Sequence, residues 1–501
     1  MEQPTLSLAA PKSLIKRKHT DGALQSGSTG DKKAATGEKT GADYRTPFMR
    51  DRDRVLYCTA FRRLAGKTQI YTIGNDDHRR NRLTHTLEVA QIARTIACAL
   101  KLDCDLAEAI ALAHDLGHTP FGHAGEKVLH KIMSPSSEYI RHSPLHKKAM
   151  HEIEQLVERE EHTKNLNIHK MLGFKHNLQS TRVAAVLEDS YQDNRGKNIG
   201  LNLTNYTLWG MMNHSALKYT DMDFAPNYQE QFRDLWLFPD SNEEAWSFEA
   251  YVVKVADDIA QWHHDLEDAL RGNAMSTKRI RKALTDALDN IMSDDDRSML
   301  KDLGTPEKVD RKYAAALSHI VVNSLVNDLV KASKTRMEKL MARLSSKGKN
   351  VEDLFLNYNC YQKGEGDDSE EILKEQVIGF SSNSYGEDIK MGIRVFVHHS
   401  QDVERMNGKG DYIIRKIFEA YYSNPQQLPD GPIIHFMVEI GKYKNADHAK
   451  KDGRGAVRNK FEEVMKNPTT IKRLALMRRI CDHIASMTDH YAINEYNSLY
   501  G

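Results

Sequence analysis

Between His114 and Glu126 the sequence reads HDLGHTPFGHAGE, three histidines, an aspartate and a glutamate within thirteen residues. Imidazole and carboxylate together suit a borderline or hard divalent ion with open positions, and imidazole moves protons near neutral pH. His114 and Asp115 are adjacent and offer two different ligands at a helix end. His123 and Glu126 are three apart, so a helix starting after FGH puts both on one face, an acid-base pair in outline. His85 and Asp257, on two further helices, extend the first pair to two nitrogens and two carboxylates without any cysteine. Each residue also has a plain reading. A lone helical histidine is more often a hydrogen-bonded core or surface residue, Asp257 can simply be solvated, and a second pair, His264 and Asp265, shows that His-Asp alone is a weak signal.

The elements that must position these residues are helical. Thr84 can cap a helix in which Leu87, Val89, Ile92, Ala93, Ile96 and Leu100 return at helical spacing. A second helix begins at Asp105, buries Leu106, Ile110, Leu112 and Ala113, and is stopped by Gly117 and Pro120, which puts His114 and Asp115 in its last turn. RDRDRVLYCTAFRRLAGKTQIY reads as a basic helix ending near Gly66, and EEAWSFEAYVVKVADDIAQWHHDLEDAL as a long helix over about 243–270. After 350, VIGF, IRVFVHH and IIHFMVEIG read as short strands, followed by a last helix, IKRLALMRRICDHIASMTDHYA.

Residues 1–43, rich in Gly, Ser, Thr and Lys and poor in large apolar side chains, are expected to form a disordered tail. Lys and Arg (71) nearly cancel Asp and Glu (70), so no global field recruits nucleic acid, and any such site must be local. Five scattered cysteines without a CxxC pair argue against a disulfide framework or thiolate zinc, and fit a reducing cytoplasm. No apolar run reaches membrane-spanning length and no signal peptide opens the chain, so neither a membrane nor export is expected.

A helix with His, a helix ending in His-Asp and a distant helix with Asp in VADDIA resemble the HD phosphohydrolases. Within that superfamily, YRTPFMRDRDRVLYCTAFRRLAGKTQ, RLTHTLEVAQIAR, AEAIALAHDLGHTPFGHAGE, FKHNLQSTRV, GLNLT, VADDIA with HDLEDA, and HIASMTDHYA resemble, in that order, the bacterial deoxyguanosine triphosphate triphosphohydrolase (dGTPase) family. The resemblance runs from Tyr44 to the carboxyl end. It implies a mainly α, HD-domain helical fold, with the catalytic core at 44–295. A mostly helical region with short strands, small and mixed α+β, is expected at 296–501, packing on the core and contributing to oligomerisation.

By the same resemblance His85, His114, Asp115 and Asp257 would bind magnesium or manganese, with Asp258 in a supporting role. Water would attack the α phosphorus and the sugar C5' oxygen would leave, with His123 as general acid or leaving-group stabiliser and Glu126 as its orienting partner. The products would be a deoxynucleoside and intact inorganic triphosphate. Arg82, three residues before His85, would grip the triphosphate as a fork. Gln69 would contact sugar or base, His176 and Asn177 the triphosphate region, and Asp265, two helical turns after Asp257, the sugar 3'-hydroxyl. His118 would either contact phosphate or stabilise its turn. Lys67 would be structural or phosphate-facing.

One position departs from the pattern. Relatives commonly carry tyrosine four residues after the last metal ligand, where this chain has Gln261 followed by Trp262. Strict exclusion of ribonucleotides therefore does not transfer, and Trp262 is one candidate for the missing ring. The resemblance further implies a homo-oligomer, with a hexamer as one form, a nucleotide effector, and an effect of single-stranded DNA. The basic stretch KYKNADHAKKDGRGAVRNK at 442–460 can reach a neighbour's nucleotide, bind such DNA, or be a solvated loop. The expected function is a metal-dependent dNTP triphosphohydrolase acting first on dGTP and controlling dNTP pools. Its rivals are an HD phosphodiesterase or nuclease, and a non-catalytic sensor of dNTPs and DNA.

Overall fold

A computed structural model describes residues 7–17, 44–69, 80–134, 151–153, 155, 172–193, 196, 198–214, 246–271, 277–306, 311–361, 371–382, 385 and 401–501. Among these the secondary structure is helical, with three isolated β-bridges. The helices used below are α1 (Pro47–Tyr57), α2 (Thr59–Arg63), α3 (Arg82–Ala99), α4 (Cys104–Ala113), α5 (Gly122–Ile132), α6 (His176–Arg182), α7 (Asn205–Asn213), α8 (Phe248–Arg271), α9 (Thr277–Leu288), α10 (Asp294–Leu303), α11 (Arg311–Ser346), α12 (Val351–Leu356), α13 (Gln401–Ser423), α14 (Asp430–Glu439), α15 (Ala446–Asp452), α16 (Arg454–Lys466), α17 (Thr470–Ser486) and α18 (Asp489–Tyr500).

The chain folds as two compact units, each gathered from separate stretches and not from one sequential cut near 295. The first comprises Met1–Ile15, Thr84–Leu112 and Ala245–Arg405, and the second Lys16–Leu83, Ala113–Glu244 and Met406–Gly501.

In the first unit α8 packs along α11. Val252, Val253, Ala256, Ile259, Ala260 and Leu266 form the buried stripe of α8, at the helical period that made it legible in the sequence. The amino-terminal segment corrects the expectation for the tail. Leu8 and Ala10 are buried, and the Ala10 N–H donates to Glu249 Oε1 at 3.1 Å, so 7–15 packs as part of this unit. Two apolar side chains in SLAAP supplied the burial that the average composition of 1–43 concealed; 18–43 lies outside the described residues. The cysteines need a second correction, because Cys98 and Cys104 are joined in a disulfide where α3 turns into α4. Scatter along the sequence is a poor guide to a pair brought together by a tight interhelical turn, and the cysteine pattern therefore carries no argument about compartment.

The core of the second unit gathers Val128, Leu129 and Ile132 of α5, Ile413, Ile414 and Ile417 of α13, Phe436 of α14, Phe461 of α16, and Leu474, Met477 and Ile480 of α17. Among the described residues the mixed α+β carboxyl-terminal region is not found. IIHFMVEIG lies within and just after α14, where Ile433, Phe436 and Met437 face inward at spacings of three and four, and Pro432 falls in the first turn, where its missing N–H costs nothing. In VIGF, Val377 ends a helical turn, Lys374–Val377, and a bend follows; IRVFVHH falls outside the described residues. The basic stretch 442–460 spans α15 and the first half of α16. Lys460 pairs with Asp452 at 2.7 Å, and Arg454 and Arg458 reach Asp430 at 3.1 and 2.8 Å, so part of its charge is neutralised within the fold. Among the described residues no helix is long and apolar enough to cross a membrane.

Candidate active site

In the first unit, α3 and α8 carry histidines and carboxylates toward one another. His85 Nε2 lies 3.0 Å from Asp257 Oδ1, which brings together two of the expected ligands. One turn further along α3, Glu88 Oε2 receives His263 Nε2 at 3.0 Å and also His264 Nε2, both from α8. The His264 ring stands edge-on to His85, with centroids 5.3 Å apart. Burial depresses the His264 pKa well below the ordinary imidazole value, although its hydrogen bond to the Glu88 carboxylate works the other way. Asp265 is buried on α8, two turns beyond Asp257. Trp262 is also buried and lies 5.7 Å from the Phe380 ring, so it serves the packing of α8, whereas Gln261 is half-buried.

In the second unit the expected residues converge more densely. His114 and Asp115 follow the last residue of α4 directly, in the turn 114–117. His118 Nε2 sits 3.3 Å from Asp115 Oδ1, and the buried Arg82 guanidinium reaches Asp115 Oδ2 at 2.5 Å. Arg82 thus meets a carboxylate expected to hold metal, where the sequence assigned it to phosphate. His118 stacks on His176 with centroids 4.1 Å apart, and His123 closes the group edge-on to both rings. A ring nitrogen of each of these three and a Glu126 oxygen lie within 4.8 Å of one another.

Glu126 serves a different imidazole from the one expected. Its carboxylate accepts from His176 Nδ1 and, at 3.1 Å, from the His176 backbone N–H, while Lys175 Nζ lies at 3.0 Å. Spacing on α5 paired it with His123, but the amino-terminal turn of α6 delivers both an N–H and an imidazole to the carboxylate. Although desolvation works the other way, His176, His123 and Lys175 hold the Glu126 carboxyl well below the usual carboxylate range. His123 is crowded by these rings on its inner side and exposed on its outer one. Desolvation, opposed by Glu126 and reinforced by the charges of His176, Arg82 and Lys175, holds its pKa below the ordinary imidazole value. Asn177 is fully buried and its Nδ2 donates to the Met212 carbonyl at 2.8 Å, so this amide ties α6 to α7. Gln69 is half-buried, with its Oε1 lacking a hydrogen-bond partner among the described residues.

Distant residues brace this loop. The buried Lys67 Nζ donates to the His118 and Ala485 carbonyls, which makes it a structural staple. Asp489, at the start of α18, accepts from the Phe121 N–H at 2.9 Å through Oδ1 and from the Thr68 N–H at 3.0 Å and the Thr68 hydroxyl through Oδ2. Phe121 sits at φ +61°, a left-handed conformation that a bulky residue holds only when its surroundings impose it. Gly117 approaches α6 so closely that a Cβ there would stand 2.1 Å from Ser180 N, while its own N–H donates to Ser180 Oγ at 2.8 Å.

The sequence reading passed over Glu88, Asp489 and His214. His214 is buried against His114 and His176, with ring centroids 5.0 and 5.5 Å away. Its only local signal was a histidine just past the end of an apolar helix, which carries no motif.

The donor types fit a divalent ion: His85 with Asp257 in one unit, and His114 with Asp115 in the other, supply neutral nitrogens and carboxylates in the combination such ions accept. Comparison with known proteins places these residues in a family. A model of the HD domain matches residues 82–193, and one of the phosphohydrolase-associated domain matches 446–498. A deoxyguanosinetriphosphate triphosphohydrolase-like protein of Bartonella henselae is 30% identical over 466 residues, covering 91% of this chain and 90% of the relative. The chain belongs to the dGTPase-like family of HD phosphohydrolases. Proteins of the same description from Bartonella tribocorum and Brucella suis are each 29% identical, again over 91% of this chain and 90% of theirs. The HD segment of this dGTPase-like chain contains Arg82, His85, His114, Asp115, His118, His123, Glu126, His176 and Asn177, with Asp257 and Asp265 downstream. The phosphohydrolase-associated segment contributes Asp489, which holds the loop at Phe121 from the other end of the sequence.

Proposed function

We propose that the chain is a metal-dependent dNTP triphosphohydrolase that converts dGTP and water into deoxyguanosine and inorganic triphosphate. The observation that supports this most is the group His118, His123, Glu126 and His176, buried except for the open side of His123 and set beside His114 and Asp115 in an HD segment. Phosphoryl chemistry of this kind is positioning plus charge stabilisation, and the group offers several imidazoles for the triphosphate and one carboxylate to orient them. In this reading His85, His114, Asp115 and Asp257 ligate magnesium or manganese. When bound, such an ion supplies positive charge for the triphosphate and lowers the pKa of a water.

Glu126 holds the His176 ring by Nδ1, which directs its other nitrogen toward the substrate. His123, open on one side, meets the C5' leaving oxygen. Desolvation works against its charged form in the free enzyme and the negative triphosphate favours it, so substrate binding promotes proton uptake there. Arg82 exchanges Asp115 for phosphate oxygens as the ligand arrives. Gln69 contacts sugar or base, His118 and Asn177 line the triphosphate region, and Asp265 accepts the sugar 3'-hydroxyl. Homo-oligomeric assembly, a hexamer among the forms, a nucleotide effector, single-stranded DNA binding and a cytoplasmic setting belong to the same reading, carried by the family resemblance.

The test is to incubate the purified chain with each dNTP and with GTP, singly and mixed, with magnesium or manganese, and to separate the products. Deoxynucleoside with intact triphosphate supports the reading and ranks the substrates; no product from any mixture overturns it. GTP turnover shows that Gln261 admits ribonucleotides. His123→Ala is expected to lower turnover by about 10²- to 10⁴-fold with nucleotide binding retained. Asp257→Ala is expected to release the metal, read as metal content after dialysis.

A further inference from the structure

His214 directly follows α7, an element fixed from both ends. At its start, Asp51 Oδ2 accepts from the Thr204 N–H and hydroxyl at 2.9 and 2.6 Å and from the Thr207 hydroxyl at 2.8 Å. At its end, Asn177 Nδ2 holds the Met212 carbonyl. His214 itself is almost wholly buried, and its Nδ1 lies 2.7 Å from the Met211 carbonyl. A carbonyl oxygen only accepts, so Nδ1 carries the hydrogen, and in the neutral ring Nε2 keeps the lone pair. Nδ1–H given to a backbone carbonyl is also the arrangement that fixes the tautomer and orientation of metal-binding histidines.

A nitrogen of His214, a nitrogen of His176 and an oxygen of Asp115 lie within 4.8 Å of one another, and the His214 ring stands edge-on to His114 at 83°. A buried imidazole nitrogen therefore stands close to a buried carboxylate and a second imidazole, the donor types that a divalent cation accepts together. Resting on the metal-dependent reading above, we propose that His214 is a further nitrogen ligand for the divalent ion assigned to His114 and Asp115. An added imidazole moves the preference of the centre from oxygen-seeking magnesium toward nitrogen-accepting transition ions. No motif marks the residue, because its role depends on where α7 ends in space.

The experiment measures metal binding by the metal-stripped full chain, with no substrate present. Cobalt(II) is the nitrogen-preferring probe, followed by its visible absorption, and magnesium the oxygen-preferring one, followed by calorimetry. His214→Gln is expected to weaken cobalt binding by about 10- to 100-fold and magnesium binding far less. Equal cobalt affinity and an unchanged cobalt spectrum in the variant overturn the assignment of His214 alone. Wild-type protein that binds neither ion overturns the metal-dependent reading itself. Because His214 is buried, His214→Cys provides the second variant: a direct ligand gives a new sulfur-to-cobalt charge-transfer band, whereas a folded variant without that band overturns the proposal.

Discussion

The two compact units bring histidine and carboxylate together by different means. In the first, side chains of two long helices meet, His85 facing Asp257 and Glu88 facing His263 and His264. In the second, His114, Asp115, His118 and His123 occupy a turn and the first turn of a short helix, and the turn is held by Lys67, Ser180 and Asp489. A side chain on a long helix is placed by a backbone that its own i to i−4 hydrogen bonds hold. A loop site is only as well placed as its few braces.

The contrast should break first at Gly117. Gly117→Ala would set a methyl carbon 2.1 Å from Ser180 N and 2.4 Å from the Gln179 carbonyl carbon, both backbone atoms that cannot swing aside. A loss of about 3 kcal/mol or more is expected, read as a lower denaturation midpoint. Asp489→Ala leaves the buried Phe121 and Thr68 N–H groups without their acceptor, and should cost about 2–4 kcal/mol and depress turnover. A variant of unchanged stability would show that Phe121 holds its left-handed conformation without the brace.

Lys67→Met removes two buried hydrogen bonds and is expected to cost about 1–3 kcal/mol. It also tests a pH signature. Burial, then Arg63 and Arg82, push the Lys67 pKa from 10.5 down to about 7, so the unfolded chain binds a proton between these values that the folded chain lacks. Stability from this group therefore rises with pH across that window, and the Lys67→Met variant should show a flatter rise.

The smallest effect belongs to the first unit and has the opposite sign. Burial raises the Glu249 pKa from 4.5 to about 7, so between these values the folded chain keeps a proton the unfolded chain has lost, and stability falls as pH rises. Glu249→Gln should remove that slope while its carbonyl oxygen still accepts the Ala10 and Asp103 N–H groups. Thermal midpoints measured from pH 4.5 to 7 decide this, and an unchanged slope would assign it to another group.

Much of the site was legible before any coordinates. Spacing alone placed His85 and Asp257 on helices and His114 with Asp115 at a helix end, because a period of 3.6 is a property of the chain itself. Spacing misassigned the partner of Glu126, since His176 lies fifty residues further along the chain. It also read IIHFMVEIG as a strand, because a short apolar run fits either element until its packing partners are known.

The sequence by itself determined the helical class, the order of the motifs and the kinds of side chain available for chemistry. Those follow from local periodicity and residue type. Only the tertiary structure decided that Glu126 orients His176, that Lys67 and Asp489 hold the loop at 118–121, that Leu8 and Ala10 are core residues, and that His214 joins the cluster at Asp115. Each of these depends on contacts between residues far apart in the chain or on where a helix ends in space, and no local pattern encodes either.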